Sequence, residues 1–164
     1  MIIDYINIVQ TNYPGTQCSV IGDSSIYANI IWIGTPIVQS TLDNLANATY
    51  AGNVWTLIKT ERDRRIAGGV KVGTSWFNSD SLSRIQQIGL VMFGTNMPTG
   101  IMWKLMDGTF VSMTPTLAGQ IFQAVAASDE AIFTYAEQKK AGVYAATDPS
   151  TYVWLTGWPL IYGE

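Results

Sequence analysis

Apolar residues near the start of the chain recur at Ile2, Tyr5, Ile6, Val9 and Tyr13. Steps of three and four put them on one helical face, and Pro14-Gly15 ends that helix. The pattern then changes. Cys18-Ser19-Val20-Ile21 and Asn29-Ile30-Ile31-Trp32-Ile33 flank the polar stretch Gly22-Asp23-Ser24-Ser25, which predicts a β-hairpin. Gly34-Thr35-Pro36 breaks it. Ser40-Thr41 offers an N-cap for a short helix through Leu42 and Leu45. A second, longer helix is predicted over 50–67, with Val54, Leu57, Ile58 and Glu61 on one side and Gly68-Gly69 as its stop.

The middle of the chain repeats a plan. Val70 to Phe77 reads as strand, glycine turn and strand. A helix follows from Ser79-Asp80, with Leu82, Ile85, Ile88 and Met92 on one face. Met102 to Leu105 and Thr109 to Val111 form a second hairpin around Asp107-Gly108, the strongest two-residue turn signal. Thr114-Pro115 then supplies N-cap and first residue of another helix. Lys71 answers to Lys104 and Asp80 to Thr114, an offset of 33–34 residues. Two such units are too few for a solenoid, so they predict one mixed domain.

The last helix is expected from about Pro115 to Tyr144. It carries Leu117, Ile121, Val125, Ile132 and Tyr135 on one face, and Ala118, Phe122, Ala126 and Phe133 on a second. Apolar character on two sides calls for two packing partners. Beyond it, Tyr152, Trp154, Trp158, Pro159 and Tyr162 follow Asp148-Pro149 in a segment with no regular period. The fold class expected is α+β: two β-hairpin–helix units, a long C-terminal helix and a small α/β N-terminal segment. The organisation expected is a helix-and-hairpin segment over 1–47, a central hairpin–helix domain over 48–145 and an aromatic tail over 146–164. Within it, residues 59–144 are expected to be the stable unit, because their periodicity and turn chemistry agree.

Composition narrows the function. The 164 residues are 48% hydrophobic and 13% charged, with net charge -3, one cysteine and no histidine. So apolar a chain is not disordered. Lone Cys18 makes no internal disulfide. A sequence pI near 4.8 speaks against nucleic-acid binding by phosphate neutralisation. Ile30 to Val38 and Ile85 to Phe93 are too short and broken to span a membrane. No basic stretch leads the chain, so a soluble protein, intracellular at synthesis, is expected. The missing histidine removes the usual acid/base, the Ser-His-Asp triad and histidine metal sites. The acids are few, scattered and mostly at turn or cap positions. No enzyme activity, catalytic residue, metal or cofactor is therefore expected.

Lys59, Arg62, Arg64 and Arg65 supply four of the nine basic residues, interleaved with Glu61 and Asp63. A phosphate-binding patch is one reading. A helix C-terminus, where cations meet the negative end of the dipole, is the favoured one. Arg84 is expected to pair with Asp80 one turn earlier, on the face opposite the core. Asp107 is read as a turn residue, with a calcium ligand as the alternative.

The order Glu61-Arg62-Asp63-Arg64-Arg65-Ile66-Ala67-Gly68-Gly69-Val70, Trp76-Phe77-Asn78-Ser79-Asp80, Ser83-Arg84-Ile85-Gln86-Gln87, Trp103-Lys104, Asp107-Gly108, Ala118-Gly119-Gln120-Ile121-Phe122 and Gly157-Trp158-Pro159 resembles a domain of unknown function common in tailed bacteriophages and prophages. That domain often lies in tail-fibre assembly proteins. The resemblance covers roughly residues 59–140 and implies phage tail context, with no established chemistry. It implies an assembly chaperone that covers the distal part of a tail fibre in the host cytoplasm, with the fibre protein as partner. A structural subunit of the fibre tip or baseplate, even a host-contacting adhesin, is the alternative, and self-association stays open. Trp154, Trp158 and Pro159, with Phe122 and Phe133, are the expected partner-binding residues, since Trp and Tyr give large contact area at low entropic cost.

Overall fold

A computed structural model describes residues 2–164. The fold is α+β, with four α-helices and three two-stranded antiparallel sheets among the described residues. The chain divides into two compact units. One holds the residues up to Thr56 with Ala141–Val153; the other holds Leu57–Lys140 with Trp154–Glu164.

In the first unit, α1 (Tyr5–Asn12) starts at Asp4, whose carboxylate accepts the Asn7 N–H at 3.1 Å. Strands β1 (Gln17–Val20) and β2 (Ile30–Ile33) pair antiparallel, Cys18 opposite Trp32. Tyr5, Val9, Ile30 and Leu42 form the core here, with Ile6, Tyr27 and Trp32 packed around it. The Tyr5 hydroxyl donates to Asp43 at 2.6 Å and accepts from Gln39. Burial, with that carboxylate, raises the phenol above its ordinary pKa.

Helix α2 runs unbroken over Gln39–Ile66. The expected division into a short helix and a second one from residue 50 does not occur, and Ser40-Thr41 lies inside the first turn rather than capping it. Ala46-Asn47-Ala48-Thr49-Tyr50 contains no proline or glycine, so nothing stops propagation. Thr49 satisfies its hydroxyl by donating to the Leu45 carbonyl.

The second unit carries the repeat. Strands β3 (Val70–Val72) and β4 (Ser75–Phe77) turn at Gly73-Thr74 and lead into α3 (Ser81–Phe93). Strands β5 (Met102–Lys104) and β6 (Phe110–Ser112) lead into α4 (Pro115–Ala145). Both helices are capped as expected. The Asp80 carboxylate accepts the Leu82 and Ser83 N–H groups, and the Thr114 hydroxyl accepts the Leu117 N–H. The second hairpin differs in its turn. Leu105 N–H bonds the Thr109 carbonyl and Gly108 N–H bonds Leu105. Met106, Asp107 and Gly108 thus make a three-residue loop with Gly108 at φ +87°. Val70, Phe77, Leu90, Leu105, Met113, Ile121 and Val125 are the core of this unit.

At 31 residues, α4 is about 45 Å long. Ile121, Val125 and Ile132 are buried, and so is Ala118, assigned above to the second face. Phe122, Ala126 and Phe133 of that face are exposed.

Candidate protein interface

Helix α3 is turned the opposite way from its apolar pattern. Leu82, Ile85, Ile88 and Met92, the face expected to be core, are 46–81% exposed, and Phe93 beside them is 50% exposed. The buried positions are Gln87 and Leu90. The cause is a polar network on the inner face. The Gln87 side chain donates to the Asn78 carbonyl at 2.8 Å. Arg84 Nη2 donates to the Ile66 carbonyl at 2.8 Å and to Asp129 Oδ1 at 2.9 Å. Its Nη1 meets the other Asp129 oxygen and its Nε the Ser79 carbonyl. Arg84 therefore pairs with Asp129 across the unit, not with Asp80, which is occupied as the N-cap. In this rotation the guanidinium fork meets a planar carboxylate and two carbonyls, and turning the apolar face inward would strip a charged partner from each of them.

Ser79 completes the arrangement. It is buried, accepts the Gly69 N–H at 2.8 Å and donates to the Ile66 carbonyl at 2.7 Å. It thereby closes the C-terminal end of α2, whose last carbonyls lack helical partners.

The outward face of α3 has no charge, because Arg84 is the helix's single charged residue and points inward. Five exposed side chains of this size offer roughly 600 Å² of apolar surface, at the top of the ~300–600 Å² range of the largest patch on a typical monomer. Along one edge runs a groove of about 540 Å³ lined by Gln86, Gly89, Leu90 and Phe93 of α3 and by Ile101–Lys104.

The tail residues fall elsewhere. Trp158 is buried, with its ring 5.1 Å from that of Tyr135 and the Arg65 guanidinium 5.5 Å over it. Its Nε1 donates to the Trp154 carbonyl at 2.9 Å. Trp158 is core of its own unit, not an exposed anchor, because a Trp with a satisfied N–H and two flat neighbours has nothing left to offer. The Pro159 carbonyl accepts from Arg65, and Trp154 is half-buried. Phe122 and Phe133 stay exposed on α4, Phe133 under the Arg62 guanidinium at 5.0 Å. The structure does not bring these five residues into one patch with α3.

The basic cluster is an ion-pair network. Buried Arg65 bonds Glu61 Oε1 at 2.6 Å and Glu164 Oε2 at 2.9 Å, and Arg64 bonds the same two carboxylates at 2.7 and 3.1 Å. Hydrogen bonds from Arg64 to Glu61 and from Arg65 to Glu164 hold both carboxyls below the ordinary glutamate value. The pKa values of Asp80 and Asp107 are lowered by cap and turn hydrogen bonds, to Ser83 and Thr109 respectively. Among the described residues no group of three or more His, Cys, Asp or Glu could hold a metal, and no helix is long and apolar enough to cross a membrane.

Signals for the exposed apolar face existed in the sequence. A helix offering both an apolar stripe and an Arg-x-x-Gln stripe can bury either. The choice rests on Asp129, 45 residues away, which no local period reveals.

No curated protein and no solved structure matches the chain. Residues 27–154 match the family described as a domain of unknown function, DUF4376, which takes in both hairpin–helix units and most of the first unit. The chain belongs to that family.

Proposed function

We propose that this protein is a non-catalytic assembly factor that covers a hydrophobic surface of a bacteriophage tail-fibre protein during its assembly in the host cytoplasm. One observation carries the contact-making part: α3 spends its polar face on the interior and turns Leu82, Ile85, Ile88 and Met92 outward. An uncharged apolar stripe held by a rigid Arg–Asp clamp is stable without a partner, yet binds one by burying that surface. The phage context rests on the motifs running from Glu61 to Pro159. The acids with lowered pKa values sit in caps, turns and ion pairs, which fits a protein without general acid/base work.

The test is co-expression with a bacteriophage tail-fibre protein and affinity capture. The wild-type chain is expected to retain the fibre protein. A Leu82→Ser, Ile85→Ser, Met92→Ser triple variant is expected to lose it while keeping its melting midpoint. Capture by both proteins alike sinks the α3 surface. Mass spectrometry of purified virions separates the two roles. An assembly factor is absent or substoichiometric there, and a structural subunit appears at fixed stoichiometry.

A further inference from the structure

Four consecutive residues, Ile101 to Lys104, line the groove beside α3. Side chains alternate along a strand, so a wall made by four in a row is made by the strand's edge, not by one of its faces. The hydrogen-bond phase agrees. Met113 N–H bonds the Ile101 carbonyl at 2.8 Å and Leu105 N–H bonds the Thr109 carbonyl at 2.8 Å. In an antiparallel ladder, bonded and non-bonded pairs alternate. With Met102 opposite Ser112, Trp103 opposite Val111 and Lys104 opposite Phe110, the middle pair is the bonded one. The N–H and C=O groups of Met102 and Lys104 therefore aim away from β6. The sheet has only two strands, and neither residue enters a turn or loop hydrogen bond among the described residues; the edge closes one step further on, where the Met106 N–H donates to the Trp76 carbonyl of β4 at 3.1 Å.

The geometry points to the β5 edge and the facing wall of α3 as a slot for one extended peptide strand of a partner protein, added to the sheet as its third strand. Two donors and two acceptors in register are what an extended backbone satisfies; a helix, whose backbone groups are already paired, cannot. The α3 wall limits the addition to a single strand. Leu90, Phe93 and Ile101 offer apolar contact to alternate side chains of the guest, and Lys104, the single charged residue lining the groove, favours a carboxylate at its end. The occupant is thus an extended segment of alternating apolar and polar residues with an acidic residue near one end. This inference rests on reading the chain as a protein-contact module, but not on the fibre as its partner.

The experiment selects binders from a displayed library of random peptides of about six residues, then maps one by hydrogen exchange on the full chain. Enriched peptides are expected to show apolar residues at period two, and to slow exchange at the Met102 and Lys104 amides at least tenfold. Gly89→Lys serves as the blocking variant. Gly89 lines the slot, and a Cβ there meets nothing within 4 Å, so the helix accepts the side chain while the slot is filled. Peptide affinity is expected to fall at least tenfold with the melting midpoint unchanged or raised. Failure to enrich any peptide overturns the inference. So does protection confined to other amides, or binding that survives Gly89→Lys. Doubled mass with slowed exchange at Met102 and Lys104 and no peptide present assigns the edge to a second copy and overturns it too. A slot that binds peptides in a protein that ignores the tail fibre leaves this inference standing and removes the fibre reading.

Discussion

Arg84 ties three segments of the second unit together: the end of α2 through Ile66, the start of α3 through Ser79, and the middle of α4 through Asp129. Removing the guanidinium leaves the Asp129 carboxylate and the Ser79 carbonyl without their partner, and the Ile66 carbonyl with the Ser79 hydroxyl alone. Charge-assisted hydrogen bonds of this kind contribute about 1.5–3 kcal/mol. Arg84→Ala is therefore expected to destabilise by ~2–3 kcal/mol in urea titration, and far more than the few tenths of an exposed i, i+4 pair. A double-mutant cycle with Asp129→Ala is expected to show strong coupling, and additivity of the two would disprove the clamp. Two glycines make a contrast at the same scale. Both Gly69 and Gly108 have positive φ. At Gly108 an added Cβ meets nothing, so Gly108→Ala carries only the conformational term, about 1 kcal/mol. At Gly69 the Cβ would run into Met106 Sδ and lie 3.2 Å from the Phe77 carbonyl oxygen. Gly69→Ala is expected to cost clearly more, read as a lower urea midpoint than Gly108→Ala gives.

At the scale of elements, hairpins and caps follow from residues close in sequence, and these were legible. Asp80 and Thr114-Pro115 marked where α3 and α4 begin, and the paired β-runs marked the strands of the second unit, as the cap bonds and strand registers confirm. Helix rotation was not legible, because Arg84 and Gln87 are satisfied by Asp129 and Asn78, groups outside α3. The unbroken α2 was missed for a different reason: Ser40-Thr41 is a cap signal in composition, but no interruption follows to make a second helix necessary. The end of α2 also carries a pH dependence. Glu61 and Glu164 have folded-state pKa values below the ordinary 4.5, held there by Arg64 and Arg65. The native state thus binds fewer protons than the unfolded chain in acid. Stability from these pairs is complete above 4.5 and is lost as pH falls through the folded values. Thermal midpoints are expected to decline below pH 4.5, and Glu164→Gln to make that decline shallower. A decline of unchanged steepness in the variant would remove Glu164 from the account.

For the whole molecule, the decisive matter is which segments fold together. The aromatic tail looked detachable, because Trp154, Trp158 and Tyr162 follow no period and the central hairpins satisfy their own turns. Yet the second unit includes Trp154–Glu164. Trp158 and Ile161 are buried, Tyr162 N–H donates to the Gly68 carbonyl at 3.0 Å, and the Tyr162 ring meets Trp76 at 6.1 Å. A Cβ on Gly68 would fall 2.7 Å from Ile161 Cδ1, so this glycine leaves room for the tail to close on the α2 terminus. Truncation after Val153 removes both buried side chains, each carrying ~2–4 kcal/mol of burial and packing, and leaves the Arg65 guanidinium without its Glu164 partner. Against a total stability of about 5–15 kcal/mol, the truncated chain is expected to lose cooperative melting of the second unit and to bind a hydrophobic dye. Trp158→Ala alone is expected to lower the midpoint without abolishing the transition. The fragment 59–144 is expected to behave like the truncated chain, and a fragment of 57–164 to melt cooperatively. If 59–144 melts as sharply as the full chain, the tail is a passenger on the second unit, and Trp154 and Trp158 return to being candidates for a partner surface.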